Sequence, residues 1–222
     1  MRIVWRSLVA GLIVTVVVHP TPGLGSQGRV DPERILWRAD SALEGLATLR
    51  AEFDQQVYNP VLERTTRGHG TLTYRSPRLF RIAYSDPAGD VVVNDGRQVW
   101  IYLPSSQPGQ VIRQPASQSE VRNPLTYLRD LREDYAAVSG GTQTIAGRVT
   151  DRLVLTPEGS HAPFMLLEVW VDRETGYPRQ VRTRTEEGVA TTYTFTRLEP
   201  NARVSDGTFE FEPPPGVEVF DS

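Results

Sequence analysis

The chain has 222 residues, with 24 basic side chains, all of them arginine, against 27 acidic ones, a formal net charge of −3 and no cysteine. The lack of cysteine excludes thiol catalysis, disulfide exchange, thiolate metal sites and lipidation at a cysteine. The acidic balance argues against nucleic acid or an anionic membrane as a partner held mainly by net charge.

Residues 1–25 place Arg2 and Arg6 before an apolar run from Leu8 to Val18, followed by the breaker-rich segment HPTPGLG. That order predicts a Sec-type signal peptide cleaved near residue 25 and a periplasmic location, since the run is shorter than the ~20 residues a membrane span needs. The remainder, 26–222, reads as a single domain long enough to build its own core. Its first element is a helix in DPERILWRADSALEGL, with Asp31 as cap, Pro32 in the first turn, and Ile35, Ala39, Ala42 and Leu46 on one face. The helix should end near Gly45 or Leu46, where the period switches to two. Leu49, Ala51, Phe53 and Val57 then alternate with Arg50, Glu52, Asp54 and Tyr58, as in a strand with one buried face.

In GTLTYRSPRLFRIAYSDP, Ser76-Pro77 separates two alternating runs, the second with Phe80, Ile82 and Tyr84 on one side and Arg81 and Ala83 on the other. Asp95-Gly96 in VVVNDGRQVWIYL predicts a tight hairpin. The inward parity of its second strand is open, and Trp100 and Tyr102 stand as alternatives. Residues 104–124, rich in Pro, Ser, Gln and Gly, read as a long loop. A second helix is predicted in NPLTYLRDLREDY, with Asn123 as cap, Pro124 first, and Leu125, Leu128 and Leu131 in one stripe. Almost everything after it is strand, with a hairpin turn at Glu174 to Pro178. About nine to eleven strands and two helices make a mainly β, α+β fold, a curved antiparallel sheet with helices against one face. Its concave side is either a solid core or a cavity for an apolar ligand, and the alternation is the same in both cases.

Equipment for catalysis is sparse. His69 and His161 lie far apart without metal-ligand neighbours, so no metal or cofactor is expected. There is no G-x-S-x-G elbow and no Gly-rich phosphate loop. Glu133-Asp134 and Glu186-Glu187 read as a solvated helix end and a hairpin tip. Arg75, Arg78, Arg81 and Arg182 on strands suit either anion binding or a solvated face. No catalytic residue is assigned and no enzyme is expected.

The succession TLRAEFDQQV, GTLTYRSPRLFRIAYSDP, VVNDGRQVWIYLP, VDRETGYPRQV and TFEFEPPPGVEVFD resembles the motif order of the LolA family, periplasmic outer-membrane lipoprotein carriers, from about Asp31 to Asp221. The resemblance implies an unclosed antiparallel β-barrel under a lid of a few α-helices, with a cavity for lipoprotein acyl chains. It further implies a monomeric carrier that takes its cargo from an inner-membrane lipoprotein-releasing ABC transporter and passes it to an outer-membrane acceptor lipoprotein. On that basis Phe53, Leu72, Tyr74, Phe80, Ile82, Tyr84, Val93 and Trp100 are the candidate cavity residues, and Trp37, Leu46, Leu125 and Leu128 the candidate lid. Family members often carry Arg immediately before the Pro of the GTLTYRSPRLFRIAYSDP motif, where it is thought to lock the lid. Here that position is Ser76, preceded by Arg75, which could compensate only if a bulge changed the strand register. A lipid-binding or envelope-sensing module of the same fold is the alternative; a secreted hydrolase is disfavoured by the absence of clustered His and Ser.

Overall fold

The computed structural model describes residues 30–119, 121–128, 135–159 and 163–222. The predicted leader, Leu131, Glu133-Asp134 and His161 lie outside them.

Helix α1 (Pro32–Glu44) begins where the Asp31 carboxylate accepts the Glu33 backbone N–H at 3.1 Å, satisfying one of the free donors of the first turn. Its buried face is Ile35, Leu36, Ala39 and Leu43, continued by Leu46 beyond the helix. Leu36 and Leu43 lie at about 100° and 80° around the helix from Ile35, within the same buried arc as Ala39. Ala42 takes the edge of that arc, where Gly176 comes close.

Twelve strands follow: β1 (Thr48–Asn59), β2 (Arg64–Arg75), β3 (Leu79–Asp86), β4 (Ala88–Asn94), β5 (Gln98–Tyr102), β6 (Gln110–Pro115), β7 (Tyr135–Ile145), β8 (Arg148–Pro157), β9 (Leu166–Asp172), β10 (Pro178–Arg184), β11 (Ala190–Pro200) and β12 (Glu218–Asp221). They form one open sheet in the order β12-β6-β5-β4-β3-β2-β1-β11-β10-β9-β8-β7. Every neighbouring pair is antiparallel except β12 with β6, which is parallel. β6 lies within the segment expected to be a loop. Its low-complexity sequence gives way to pairing on both sides, with β5 and β12, a case of tertiary context overriding composition. In the second predicted helix, the described part is a 3₁₀ turn (Pro124–Thr126) that runs into helical residues Tyr127 and Leu128, and it is capped by Asn123, whose Oδ1 accepts the Leu125 N–H at 3.0 Å.

The sheet has an inner face, packed on α1 and the 124–128 segment, and an outer face. Registers carry Leu49, Ala51 and Phe53 of β1, Leu72 and Tyr74 of β2, Phe80 and Ile82 of β3, Leu153 and Leu155 of β8, Val169 of β9 and Phe195 of β11 to the inner face. Gly70 stands opposite Phe53, and a side chain there would run into the Ala83 carbonyl where β3 shifts register. Only glycine lets Phe53 and Tyr84 meet edge to face at this point, with centroids 5.4 Å apart.

Candidate functional site

Six of the predicted cavity residues come together on the inner face. Phe53, Leu72, Tyr74, Phe80 and Ile82 are buried, and Tyr84 is half-buried against them. Phe53 also meets Tyr193 edge to face at 5.6 Å, and the Tyr193 hydroxyl accepts the Gln55 side-chain amide at 2.7 Å. Burial raises the phenols of both Tyr84 and Tyr193 above their ordinary range, so both stay neutral at any physiological pH. The surface is therefore apolar with a few neutral hydrogen-bonding tips. Such a surface suits hydrocarbon and has no group placed for acid-base work.

The other two do not join them. Val93 pairs with Arg81 on one side and Trp100 on the other, and Trp100 pairs with Arg113, so all four share the outer face. The inner face at this level carries Val92 and Ile101 instead, in line with Ile82. Tyr102 is not an alternative to Trp100, because residues two apart on a strand share a face. Both rings meet Phe211, at 5.6 and 6.1 Å. The outer face of β3 to β6 is thus covered by the chain leading to β12, which buries Val93 completely.

The lid candidates divide similarly. Leu46, Leu125 and Leu128 are buried against the inner face, whereas Trp37 is 72% exposed. Trp37 lies two residues from both Ile35 and Ala39, about 200° around the helix, and so points to solvent. Ser76 is exposed, and its backbone N–H donates to the Ala47 carbonyl at 2.9 Å. Arg75 faces outward. Its guanidinium donates to Asp206 Oδ1 at 2.8 Å and to the Val204 carbonyl at 2.7 Å, and lies 5.3 Å from the Phe209 ring centre. The only register shift between β2 and β3 falls at His69/Gly70, so no bulge turns Arg75 inward. It fastens the C-terminal segment to the sheet and does not reach the lid.

The polar tie of the lid is elsewhere. Arg38 of α1 donates to Asp151 Oδ2 at 2.7 Å, and Arg173 donates to Asp151 Oδ1 at 2.8 Å. Burial alone would raise the Asp151 carboxyl, but the hydrogen bonds from Arg173 and Arg38 outweigh it and hold the group below the usual carboxylate range. A sequence signal for this tie exists, because Asp151 occupies an inward position in line with Leu153 and Leu155, where a charge requires a partner. At the C-terminal end of α1 the chain is pinned by backbone: Ala47 N–H donates to Asn201 Oδ1 at 3.0 Å, and its carbonyl receives Ser76 N–H. α1 itself makes no backbone hydrogen bond to a strand among the described residues.

A cleft of about 550 Å³ opens between the β2–β3 turn and the chain leading to the 3₁₀ turn, with Tyr74 and Phe80 among its lining residues. Sequence reasoning did not find it, because its walls come from the segment that read as loop. Elsewhere the inner face is filled by the lid side chains, so the alternative of core or cavity has a specific answer here. The apolar surface exists, and a cover of helix and turn occupies it.

A family profile described as outer membrane lipoprotein carrier protein LolA matches residues 44–212. An outer-membrane lipoprotein carrier protein from Haemophilus influenzae is 29% identical over 173 residues, covering 78% of this chain and 80% of its own. Among solved structures, an uncharacterized conserved protein from Thermus thermophilus shares the fold with a TM-score of 0.56 at 15% identity, over 86% of this chain and 98% of that one. A complex of Pseudomonas aeruginosa MucA and MucB also matches, with a TM-score of 0.52 at 21% identity, over 86% of this chain and 63% of that one.

Proposed function

This chain belongs to the LolA family of outer membrane lipoprotein carrier proteins, and on that premise we propose that it is a non-enzymatic periplasmic carrier that holds lipoprotein acyl chains on the inner face of its sheet. The observation that carries this reading is the make-up of the cover: α1 seals a continuous apolar surface through side chains, the Arg38–Asp151 ionic tie among them, with no backbone ladder to hold it among the described residues. Displacing Ile35, Leu36, Leu43 and Leu46 forfeits about 1.5–3 kcal/mol each, roughly 6–12 kcal/mol in all. One acyl chain of about 16 carbons returns on the order of 12 kcal/mol at ~0.8 kcal/mol per methylene. The two are of similar size, so lid and ligand exchange near balance, as a carrier that must both load and release requires. The pinned residue Ala47 marks the pivot, with Gly45 just before it. Loading by an inner-membrane lipoprotein-releasing ABC transporter and delivery to an outer-membrane acceptor belong to the same proposal.

The test is to recover the exported chain from the periplasm of a cell that makes lipoproteins and to record its native mass. A satellite at the mass of a triacylated lipoprotein supports the carrier. Free lipid alone, or a stable protein partner in a complex of the MucA/MucB kind, would replace it with a lipid-binding or sensing role.

A further inference from the structure

The cleft beside the β2–β3 turn has a donor set that meets no acceptor among the described residues. Arg78 and Arg122 stand exposed on its rim, and neither has an ion-pair or hydrogen-bond partner among the described residues. Asn123 lines the cleft and is 3% exposed. Its Oδ1 is used as the cap of the 3₁₀ turn, but its Nδ2 is buried without an acceptor. Folded chains rarely leave a buried N–H unpaired, and in a residue that lines a cleft the missing acceptor can be a ligand atom or a water. Two guanidinium groups and an amide N–H only donate, and among the described residues lining the cleft there is no carboxylate. The complement of that set is a negatively charged oxygen group, which such charge-assisted hydrogen bonds hold best. Tyr74 and Phe80 line the same cleft and belong to the apolar inner face, so a tail attached to that group enters that face where the cover is displaced.

We infer that this cleft binds the anionic head, a carboxylate or a phosphate, of an acyl amphiphile, with Arg78, Arg122 and Asn123 Nδ2 as donors and the tail leaving over Tyr74 and Phe80. The inference rests on the reading of the inner face as an acyl-chain surface. It adds that the chain prefers anionic to neutral amphiphiles.

The experiment compares binding of oleate, dodecyl phosphate and methyl oleate to the full exported chain by calorimetry. At least one of the two anionic ligands should bind ten-fold or more tighter than methyl oleate, and which of them does so identifies the head. In the double variant Arg78→Gln/Arg122→Gln, both changes being at exposed positions, that difference should disappear. Asn123→Asp keeps the cap oxygen and replaces the donor with an acceptor, so it should lower anionic affinity about ten-fold as well. If Asn123→Asp does not fold, the arginine pair alone decides. Methyl oleate binding as tightly as the anions, or an unchanged preference in the arginine variant, overturns the head site and leaves the carrier reading standing. Failure of all three ligands to bind removes both.

Discussion

The same sheet is covered twice, and the two covers are built differently. On the inner face, α1 and the 124–128 segment rest on apolar side chains, with the Arg38–Asp151–Arg173 cluster as a polar tie of the helix. On the outer face, the C-terminal segment joins the sheet as a strand: β12 pairs with β6, Arg113 forks onto Asp221 at 2.6 and 2.8 Å, and Arg75 clamps the approach to Phe209. A strand that leaves gives up a ladder of backbone hydrogen bonds, whereas a helix that leaves keeps all of its own. The difference marks one cover as fixed and the other as removable, with chemistry and not position as the reason.

The largest effect should come from the floor both covers depend on. Phe195 is fully buried in the middle of the inner face, and Phe195→Ala should cost about 3–5 kcal/mol of global stability in a urea titration. If it costs much less, the inner face is already loosely filled with its lid in place, and the contrast between covers weakens.

The next effect sharpens the comparison. Asp151→Ala leaves two guanidinium groups without their acceptor and should cost about 1–3 kcal/mol, the partners being partly exposed. Its signature is local. Amides of α1 should exchange faster with solvent while β1, β2 and β12 keep their protection, and a neutral pyrene ester should be taken up faster than by the parent chain. Uniform loss of protection across the sheet would show that the tie serves the whole fold and not the lid.

Acid should act on the same tie. Asp151 titrates below its unfolded value of about 3.9, so its contribution is complete above that pH and is lost as the pH falls through the folded value. Asp172, which accepts from Arg148 and Arg179, is held low as well, its burial outweighed by those hydrogen bonds and by the backbone N–H groups of Thr175 and Glu174. Uptake of the neutral ester should therefore be constant between about pH 8 and 5 and rise only below about 4. A rise near pH 6 would place the controlling group elsewhere.

How much of this was legible follows from how each segment is buried. α1 and its cap were readable because one face is wet, and so was the run Phe80, Ile82, Tyr84, since the alternation records a single buried side. The Asp95-Gly96 turn was readable because its chemistry is local: Asp95 Oδ1 accepts from Arg97 and Gln98 at 2.8 and 2.7 Å, and Gly96 holds a φ of 92°. VVV at 91–93 was not. With Val91 and Val93 buried under the C-terminal segment and Val92 against the core, apolar residues are wanted on both faces and parity leaves no trace. That is why Val93 and Trp100 were assigned to the wrong side. The actual role of Arg75 was not legible for a related reason, since its partners lie some 130 residues away in a segment whose own sequence reads as loop.

The smallest effect tests the fixed cover at its exposed end. Arg113 and Asp221 form a well-aligned pair, but both sit in water, where such pairs are screened and add little. Arg113→Ala should leave the urea midpoint unchanged within error, and β12 should keep its exchange protection. The hold on β12 would then lie in its backbone pairing with β6, and in Phe209 and Phe211 anchoring the chain before it. If instead β12 frays in this variant while α1 stays protected, the outer cover depends on ionic side-chain contacts as the inner one does, and backbone pairing no longer distinguishes them. The relative exchange rates of β12 and α1 in the parent chain and in Arg113→Ala settle which cover opens first.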